Sequence, residues 1–558
     1  MSAAGGHEGP AETVATAIGR RLAALGVEVV FGVVGSGNLV ATEALQRGGA
    51  RFFAARHETG ALCMADGWAR VTGRVGVCSV HQGPGLTNAV TGLAEAAKAR
   101  TPVLVIAGDT PGAALTSNFR IDQHDLANSV GAIAETVYSA ASAEADAARA
   151  YRRAALERRP VVLNLPIDLQ AQPAVDAPEP RVLPVPATPA PRAEEVAAVA
   201  DLLQGAQRPV IIAGRGAVLG GAGPALAALG ERAGALLANS AMAQGIFHGD
   251  PWALRISGGF ASPVASELLP QADVVLAFGA ALNHWTTRHG ELIGPQARVV
   301  QVDVEPRAIG ATRRIDLAVV GDTGAVAEAV EAELAARGHG ATGYRTDEVG
   351  AQLAARRWRD EPYEPSTADG YVDPRDFSIA LADLLPSRKT VAIDSGHFMG
   401  WPAMFLDVED ARHWVFMNGF QAVGLGLAGA IGAAVAEPGQ ITVAALGDGG
   451  LFFSLQELDS AARAGAKLLI AVYDDAAYGA EVHHFGPMGH ATDTVRFPDA
   501  DLAAAARAHG VQAITVRHVD DLAPVADWVR SGTGPMLVDA KIDPDICADW
   551  LQEAFRAG

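Results

Sequence analysis

The sequence predicts an α/β protein made of three doubly wound parallel-sheet domains. At 558 residues the chain is longer than one hydrophobic core usually supports. In its first and last thirds, short apolar runs of strand length alternate with stretches of helical periodicity. A third observation is the tether at residues 173–191, where seven prolines exclude helix and central strand. We therefore predict domains at residues 10–172, 192–337 and 372–558.

Composition excludes several classes of function. The formal net charge of −20 leaves no basic surface for nucleic acid. The three cysteines, Cys63, Cys78 and Cys547, lack metal-like spacing and fit a reducing compartment. The first twelve residues are small and polar, without the apolar centre of a signal peptide, and no apolar run reaches membrane-spanning length. These features predict a cytoplasmic protein without nucleic-acid or membrane partners.

The stretch at residues 440–479 carries the most informative pattern. An apolar strand at 441–446 ends in Gly-Asp-Gly-Gly, a helical segment follows, and a second strand at 468–473 ends in Asp474 and Asp475. Strand–helix–strand crossovers are parallel, so Asp448 and Asp475 are expected at one carboxyl edge, where open α/β sheets bind ligands. Two carboxylates there suit Mg²⁺ that also takes phosphate oxygens. The alternative is a tight turn followed by a helix cap.

The first third repeats this organisation. Strands predicted at 28–32, 51–56, 75–80 and 102–107 are each followed by a polar or glycine-rich loop. These loops carry Ser36, Glu58, His81 and Asp109, which the topology places on one sheet edge. The alternative for Glu58 is an ordinary acid in a first helical turn, and for Ser36 and His81 a role in forming turns.

These segments resemble a known family. Residues 440–479 are similar to the thiamine-diphosphate motif, in which GDG is followed about 27 residues later by a pair of Asn or Asp residues. Residues 56–73, RHETGALCMADGWARVTG, and the following HQGPGLTNAV resemble the pyrimidine-binding domain of the acetolactate synthase and 2-oxo-acid decarboxylase family, including benzoylformate decarboxylases. The resemblance runs from about residue 13 to 543. It implies a pyrimidine-binding domain, a Rossmann-like middle domain and a diphosphate-binding domain.

The resemblance implies a set of cofactor contacts. Asp448, Asp475 and the carbonyl of Ala477 would hold Mg²⁺ against the diphosphate of thiamine diphosphate, although Asn is commoner than Asp at position 475. Val423 would be the wedge that keeps the cofactor bent, where Met or Leu is commoner. The full set implied to bind the cofactor is Glu58, Ser395, Gly396, His397, Gln421, Val423, Gly447, Asp448, Gly449, Gly450, Asp475, Ala477, Tyr478 and Gly479.

Three residues are implied to be catalytic: Glu58, His81 and Ser36. In the family, the glutamate at the place of Glu58 bonds the aminopyrimidine and promotes formation of the reactive ylid. The Gly35–Asn38 turn is similar to one in benzoylformate decarboxylases, where the serine contacts the substrate carboxylate. His81 lies 23 residues after Glu58, at the place of a proton-transferring histidine. Acetolactate synthases carry a small hydroxyl residue there, and many carboligases carry Gln at position 109.

The remaining motifs are weaker. Gly214 and Gly216 form a GxG after a predicted strand, but no acidic ribose partner follows at the expected spacing. FAD, which some family members hold in the middle domain, is therefore possible but not supported. His284, Trp285 and His289, and likewise Glu481, His483 and His484, could face substrate or simply solvent.

The functional prediction follows from the resemblance. We expect a thiamine-diphosphate- and Mg²⁺-dependent enzyme that cleaves or forms C–C bonds next to a carbonyl. Its expected substrate is a 2-oxo acid, handled by decarboxylation or carboligation through an enamine. Because the family shares each cofactor between subunits, we expect a homodimer or a dimer of dimers (a homotetramer). The alternative is a non-catalytic cofactor-binding relative with a regulatory or structural role.

Overall fold

The computed structural model describes residues 12–175, 187–341 and 343–555. Eleven of the twelve residues that argue against a signal peptide, and most of the proline tether, lie outside these ranges. Three six-stranded sheets follow one another along the chain, and every strand pair in them is parallel. The predicted α/β class with three parallel sheets is confirmed, whereas the exact domain bounds stay predictions.

The N-terminal sheet has the strand order β2-β1-β3-β4-β6-β5. Its strands are β1 (Val29–Gly32), β2 (Arg51–Ala54), β3 (Gly76–Val80), β4 (Val103–Asp109), β5 (Ile133–Thr136) and β6 (Val161–Pro166). Its helices are α1 (Val14–Ala24), α2 (Leu39–Arg47), α3 (Glu58–Thr72), α4 (Pro84–Asn88), α5 (Val90–Lys98), α6 (Gln123–Ser129), α7 (Ala143–Glu157) and α8 (Ile167–Gln170). The order reverses beside β1, so the loops after β1, β2 and β3 meet at one edge.

The middle sheet has the strand order β12-β11-β10-β7-β8-β9. Its strands are β7 (Pro209–Ala213), β8 (Leu236–Asn239), β9 (Ala253–Ile256), β10 (Val274–Phe278), β11 (Arg298–Asp303) and β12 (Leu317–Val320). Its helices are α9 (Ala193–Gly205), α10 (Arg215–Leu219), α11 (Gly223–Ala233), α12 (Pro263–Leu268), α13 (His284–Thr287) and α14 (Thr323–Ala336). The segment between the predicted middle and C-terminal domains contains a helix that the sequence analysis did not predict, α15 (Asp347–Ala355), which Thr346 caps through its side chain.

The C-terminal sheet has the strand order β14-β13-β15-β16-β18-β17. Its strands are β13 (Thr390–Ile393), β14 (Trp414–Phe416), β15 (Thr442–Gly447), β16 (Leu468–Asp474), β17 (Gln512–Val516) and β18 (Met536–Lys541). Its helices are α16 (Pro374–Leu384), α17 (Gly400–Phe405), α18 (Gly426–Ala436), α19 (Asp448–Ser454), α20 (Glu457–Ala464), α21 (Gly479–Phe485), α22 (Leu502–Ala508), α23 (Ala523–Ser531) and α24 (Asp549–Ala554). The Gly-Asp-Gly segment does not form the tight turn that was the alternative reading, because α19 begins at Asp448 itself.

The N-terminal and C-terminal domains share one continuous apolar core. Helix α3 lies against α18 so closely that a Cβ on Gly67 would lie 2.0 Å from the carbonyl oxygen of Gly429. A Cβ on Gly432 would lie 1.9 Å from the carbonyl oxygen of Met64. Helices in backbone contact of this kind fix the two domains rigidly against each other. Among the described residues, none of the helices combines the length and the apolarity needed to cross a bilayer.

Candidate functional site

A cleft of about 580 Å³ opens at the carboxyl edge of the C-terminal sheet. Parallel sheets bind ligands at this edge, and the volume suits a small organic molecule. The structure brings together all of the C-terminal residues that the family resemblance implies as cofactor contacts. Those lining the cleft are Ser395, Gly396, His397, Gln421, Val423, Gly447, Asp448, Gly449, Gly450, Asp475, Ala477, Tyr478 and Gly479.

The two motif carboxylates come from neighbouring strand ends. Gly447 of β15 pairs in register with Tyr473 of β16. Asp448 comes one residue after this pair and Asp475 two residues after it, so both lie at the same edge of the sheet. Burial, together with the charge of Asp475, raises the pKa of Asp448 well above its usual range. The Asp475 side chain accepts the N–H of Ala477 at 3.1 Å, which folds the loop back over the strand end. Two buried like charges in a cleft favour a proton or a cation between them.

The neighbouring acid of the pair, Asp474, has a different role. Its carboxylate receives a hydrogen bond from the Lys541 ammonium at 2.6 Å and caps the Ala476 N–H at 3.0 Å. Lys541 also pairs with Asp539 and Asp499, so it compensates charge behind the strand end rather than in the cleft. Asp474 therefore anchors the loop, and Asp475 is left to face a ligand.

His397 presents an unpaired nitrogen beside these carboxylates. Its Nε2 accepts the N–H of Ala548 at 3.0 Å, which places the ring proton on Nδ1. Nδ1 is buried, finds no hydrogen-bond partner in the described part of the chain, and lies 3.9 Å from the Asp475 carboxylate. A Cβ on Gly479 would lie 2.2 Å from that carboxylate and 3.2 Å from Nδ1, so glycine keeps this corner open. A buried N–H without a partner is expected to meet an acceptor on a ligand.

The segment before α18 crosses the mouth of the cleft. Val423 lines the cleft and is 39% exposed, and Gln421 takes a left-handed conformation with φ of 60°. Behind them, the buried carboxylate of Asp394 accepts the N–H groups of Gly424 at 2.9 Å and Leu425 at 3.1 Å. Burial raises the pKa of Asp394 to about 6. Asp394 thus fixes where Val423 enters the cleft.

Of the predicted catalytic residues of the N-terminal domain, Ser36 and His81 are in contact, and Glu58 lies across Gly85 from His81. His81 donates from Nδ1 to the Gln82 carbonyl at 2.7 Å, which leaves Nε2 as acceptor 3.4 Å from the Ser36 hydroxyl. Glu58 begins α3 and receives a hydrogen bond from the Asn88 amide at 3.0 Å. A Cβ on Gly85 would lie 2.9 Å from the His81 Cβ and 3.5 Å from the Glu58 carboxylate. Glycine at position 85 therefore keeps the space between Glu58 and His81 open.

A single chain keeps the two groups of residues apart. Ser36, Glu58 and His81 do not line the C-terminal cleft formed by the described residues. Asp109, the fourth loop residue of the N-terminal sheet, is half-buried, and burial raises its pKa. The chain thus carries two separate groups of predicted site residues, at the edges of two different sheets.

An aromatic wall on the cleft was not predicted as a unit. Trp285 of α13 lies 5.6 Å from Trp550 of α24, and Leu551 and Phe555 continue the same wall. His284 and His289 do not reach the cleft but line a separate cavity of about 30 Å³. Sequence reading missed α24, although the apolar residues Trp550, Leu551 and Ala554 recur at helical spacing.

Three residues of α21 could have faced either substrate or solvent on the basis of sequence, and the structure places them differently. Glu481 lines the cleft. The His483 ring lies 4.5 Å from that of His397, and burial lowers the pKa of His483 to about 4. The His484 ring stacks on Phe555 at 4.1 Å. Adjacent helical residues point in different directions, so His483 and His484 do not form a joint site.

The glycine-rich turn of the middle domain has a packing role. A Cβ on Gly214 would lie 2.2 Å from the Gly279 carbonyl oxygen, and one on Gly216 would lie 2.7 Å from the Gly279 Cα. Arg215, between them, is half-buried and donates to the Ala99 carbonyl, and loss of solvent around it lowers its pKa to about 9. The close approach of two loops accounts for both glycines without a nucleotide.

The fold and the C-terminal cleft define a class of protein. Paired acids, an unpaired imidazole N–H and glycines at a parallel sheet edge are typical of a site for a phosphorylated organic cofactor. Comparison with protein families agrees. Residues 12–130 match "Thiamine pyrophosphate enzyme, N-terminal TPP binding domain", residues 196–330 the central domain, and residues 394–540 the C-terminal TPP binding domain.

Curated relatives extend this match over most of the chain. An acetolactate synthase large subunit of Parasynechococcus marenigrum is 31% identical over 81% of this chain and 74% of its own length. A sulfoacetaldehyde acetyltransferase of Rhodobacter capsulatus is 30% identical over 95% and 94%. A probable 2-ketoarginine decarboxylase of Pseudomonas aeruginosa is 30% identical over 94% and 92%. The chain belongs to the thiamine-diphosphate-dependent acetolactate synthase and 2-oxo-acid decarboxylase family, as its motifs indicated.

Proposed function

We propose that this protein is a thiamine-diphosphate- and Mg²⁺-dependent enzyme that breaks or forms the C–C bond next to the carbonyl of a 2-oxo acid. The observation that carries the proposal is the meeting of Asp448 and Asp475 in a cleft lined by every other C-terminal residue of the cofactor motif. When bound, thiamine diphosphate accepts the electron pair that is left when the carboxyl group departs as carbon dioxide. The chain's own residues bind it, orient it and move protons.

The donor set of the cleft fits Mg²⁺ and a diphosphate. Asp448, Asp475 and the Ala477 carbonyl offer hard oxygen ligands, which Mg²⁺ prefers together with phosphate oxygens. The unpaired Nδ1–H of His397 would donate to a diphosphate oxygen. Val423, held by the Asp394 segment, would press against the cofactor and keep it bent.

The N-terminal half-site, which consists of Ser36, Glu58 and His81, supplies the proton chemistry. Glu58, oriented by Asn88, would share a proton with the cofactor's aminopyrimidine. The His81 Nε2, whose orientation is fixed by the bond from Nδ1 to Gln82, would carry a proton to or from the reacting carbon. The Ser36 hydroxyl would donate a hydrogen bond to the substrate carboxylate.

A homodimer, or a dimer of dimers, would join the two half-sites. Exposed apolar side chains cluster near each half-site, and soluble proteins seldom leave such patches uncovered. In the N-terminal domain they include Leu115, which is 68% exposed, and in the C-terminal domain Phe453, which is 62% exposed. Phe119 lies 5.1 Å from the His81 ring, and Phe453 and Tyr478 line the cleft. Further exposed apolar side chains of the two domains are Val34, Leu39, Val40, Ile121, Phe420 and Phe452. We propose that each active site is built from the N-terminal domain of one protomer and the C-terminal domain of its partner.

Decarboxylation with aldehyde release is the first candidate reaction, because Ser36 and His81 lie together at one edge. Carboligation is the second, supported by a relative named acetolactate synthase. Incubation with pyruvate, benzoylformate or branched 2-oxo acids, thiamine diphosphate and Mg²⁺ separates them. An aldehyde as the product indicates a decarboxylase, whereas an acyloin as the product indicates a carboligase. Absence of carbon dioxide from every acid would instead support a non-catalytic relative.

The cellular location is a further part of the proposal. Cys63 and Cys78 are buried as free thiols, and burial raises the pKa of both. Cysteines kept reduced and inert fit the cytoplasm.

A further inference from the structure

Two buried carboxylates reach across the interface between the N-terminal and C-terminal domains of one chain. Glu457 lies on α20 of the C-terminal domain. Its carboxylate accepts the backbone N–H groups of Arg56 at 3.1 Å and His57 at 2.9 Å, both in the N-terminal domain. The next residue is Glu58. A Cβ on Gly60 would lie 2.3 Å from the Glu457 carboxylate, so the start of α3 is shaped to receive this side chain.

The second carboxylate points the opposite way. Glu95 lies on α5 of the N-terminal domain and is fully buried. Its two oxygens accept the backbone N–H groups of Gly419 at 3.0 Å and Phe420 at 2.7 Å in the C-terminal domain. The chain then passes through Gln421 to Val423, which lines the cleft.

Glu95 is electrostatically supported in its place. The Arg70 guanidinium donates to it at 2.9 Å and holds Asp66 through two hydrogen bonds of 2.7 and 3.0 Å. Arg70 also donates to the Phe416 carbonyl at 2.7 Å, three residues before Gly419. A buried charge that is paired and fully hydrogen-bonded keeps its geometry, because every alternative leaves a group unsatisfied.

We propose that Glu457 and Glu95 form a reciprocal clamp, in which each domain holds the functional loop of the other. In this arrangement Glu457 is a positioning residue for Glu58, and Glu95 is a positioning residue for Val423. The inference rests on the proposed function for the roles of Glu58 and Val423. The rigid packing of α3 against α18 keeps both carboxylates in reach of their loops.

Backbone hydrogen exchange tests the clamp directly. In Glu457→Ala, the amides of Arg56 and His57 should exchange about tenfold faster or more, the loss expected for bonds to a charged acceptor. Those of Gly419 and Phe420 should stay as in the wild type. Glu95→Ala should show the reverse pattern. Glu457→Gln and Glu95→Gln should show the same patterns more weakly, and they carry the comparison if an alanine variant does not fold.

Asp273→Ala is the matched control. Asp273 also accepts two backbone N–H groups, from Gln207 at 2.6 Å and Arg208 at 2.9 Å, but in the middle domain. The Asp273→Ala variant should show faster exchange only at the amides of Gln207 and Arg208. Equal acceleration at both functional loops, or throughout α3 and α18, in either clamp variant would overturn the proposal, since it would mean loss of general packing.

Cofactor binding gives a second readout. Glu95→Ala should weaken thiamine diphosphate binding about tenfold, because Val423 shapes the cleft. Glu457→Ala should lower kcat more strongly than cofactor affinity, because Glu58 acts on the aminopyrimidine whereas the diphosphate and Mg²⁺ ligands lie in the C-terminal cleft. Wild-type affinity and kcat in both variants would contradict the clamp while leaving the proposed function intact. Failure of the wild type to bind the cofactor would end the proposed function, and the exchange pattern would still decide the clamp.

Discussion

Replacement of Asp394 by Asn should change how the stability of the protein depends on pH. Asp394 is fully buried, and burial raises its pKa to about 6 although it accepts the N–H groups of Gly424 and Leu425. The pKa of an aspartate in an unfolded chain is about 3.9. A raised pKa means that the folded protein binds the proton more tightly than the unfolded chain does. Between these two values, stability therefore falls as pH rises.

The size of this effect follows from the shift of the pKa. About two pKa units correspond to roughly 3 kcal/mol, at about 1.4 kcal/mol per unit. At pH 4 the unfolded carboxyl is already about half ionised, so the free energy of unfolding of the wild type, minus that of Asp394→Asn, should decrease by roughly 2 kcal/mol between pH 4 and pH 7. Asn cannot titrate, so this component is absent from the variant.

The measurement is urea unfolding of the cofactor-free protein at several pH values, since bound ligand would add its own stabilisation. Fluorescence of Trp401 and Trp414, both buried in the C-terminal domain, reports the transition. Asp501→Asn is the control, because Asp501 caps α22 in the same domain from an exposed position. Its pH profile should follow the wild type. Parallel profiles for the wild type and Asp394→Asn would refute the reasoning.

Three further changes test the candidate site. Asp448→Asn should weaken Mg²⁺-dependent cofactor binding at least about tenfold, since a charged ligand is lost. Calorimetry measures this affinity, and an unchanged value would exclude Asp448 as a ligand. Gly479→Ala should weaken cofactor binding with circular dichroism unchanged, because its Cβ would lie 2.2 Å from the Asp475 carboxylate. His81→Ala should shift products from aldehyde towards acyloin by removing the proton carrier, and an unchanged product ratio by chromatography would show that another group protonates.

The sequence was sufficient to predict the parts of the site that local pattern determines. Asp448 and Asp475 follow apolar strands joined by a helical crossover, and parallel topology alone then brings their strand ends together. The same reasoning placed Ser36 and His81 on one edge of the N-terminal sheet. In each case the informative residue directly follows a strand, so its position in space follows from its position in the chain.

Contacts between distant segments could not be predicted in this way. Trp285 and Trp550 meet across 265 positions of sequence, and neither stands in a motif. Glu95 and Glu457 lie on helices, where an acid usually faces solvent, yet both are buried where the N-terminal and C-terminal domains meet. Register inside one sheet is a local property, whereas burial at a domain interface depends on the tertiary structure.

The central claim is that each active site combines Glu58 of one protomer with Asp448 of its partner. Co-expression of Glu58→Gln with Asp448→Asn tests it most directly, because a mixed dimer would contain one site with both changes and one intact site. At a thiamine diphosphate concentration that just saturates the wild type, each variant alone should release far less carbon dioxide from a 2-oxo acid that the wild type decarboxylates. Random assortment should restore about a quarter of wild-type activity, since half of the dimers are mixed and each has one intact site of two. An inactive mixture that contains mixed dimers by mass spectrometry would contradict the claim.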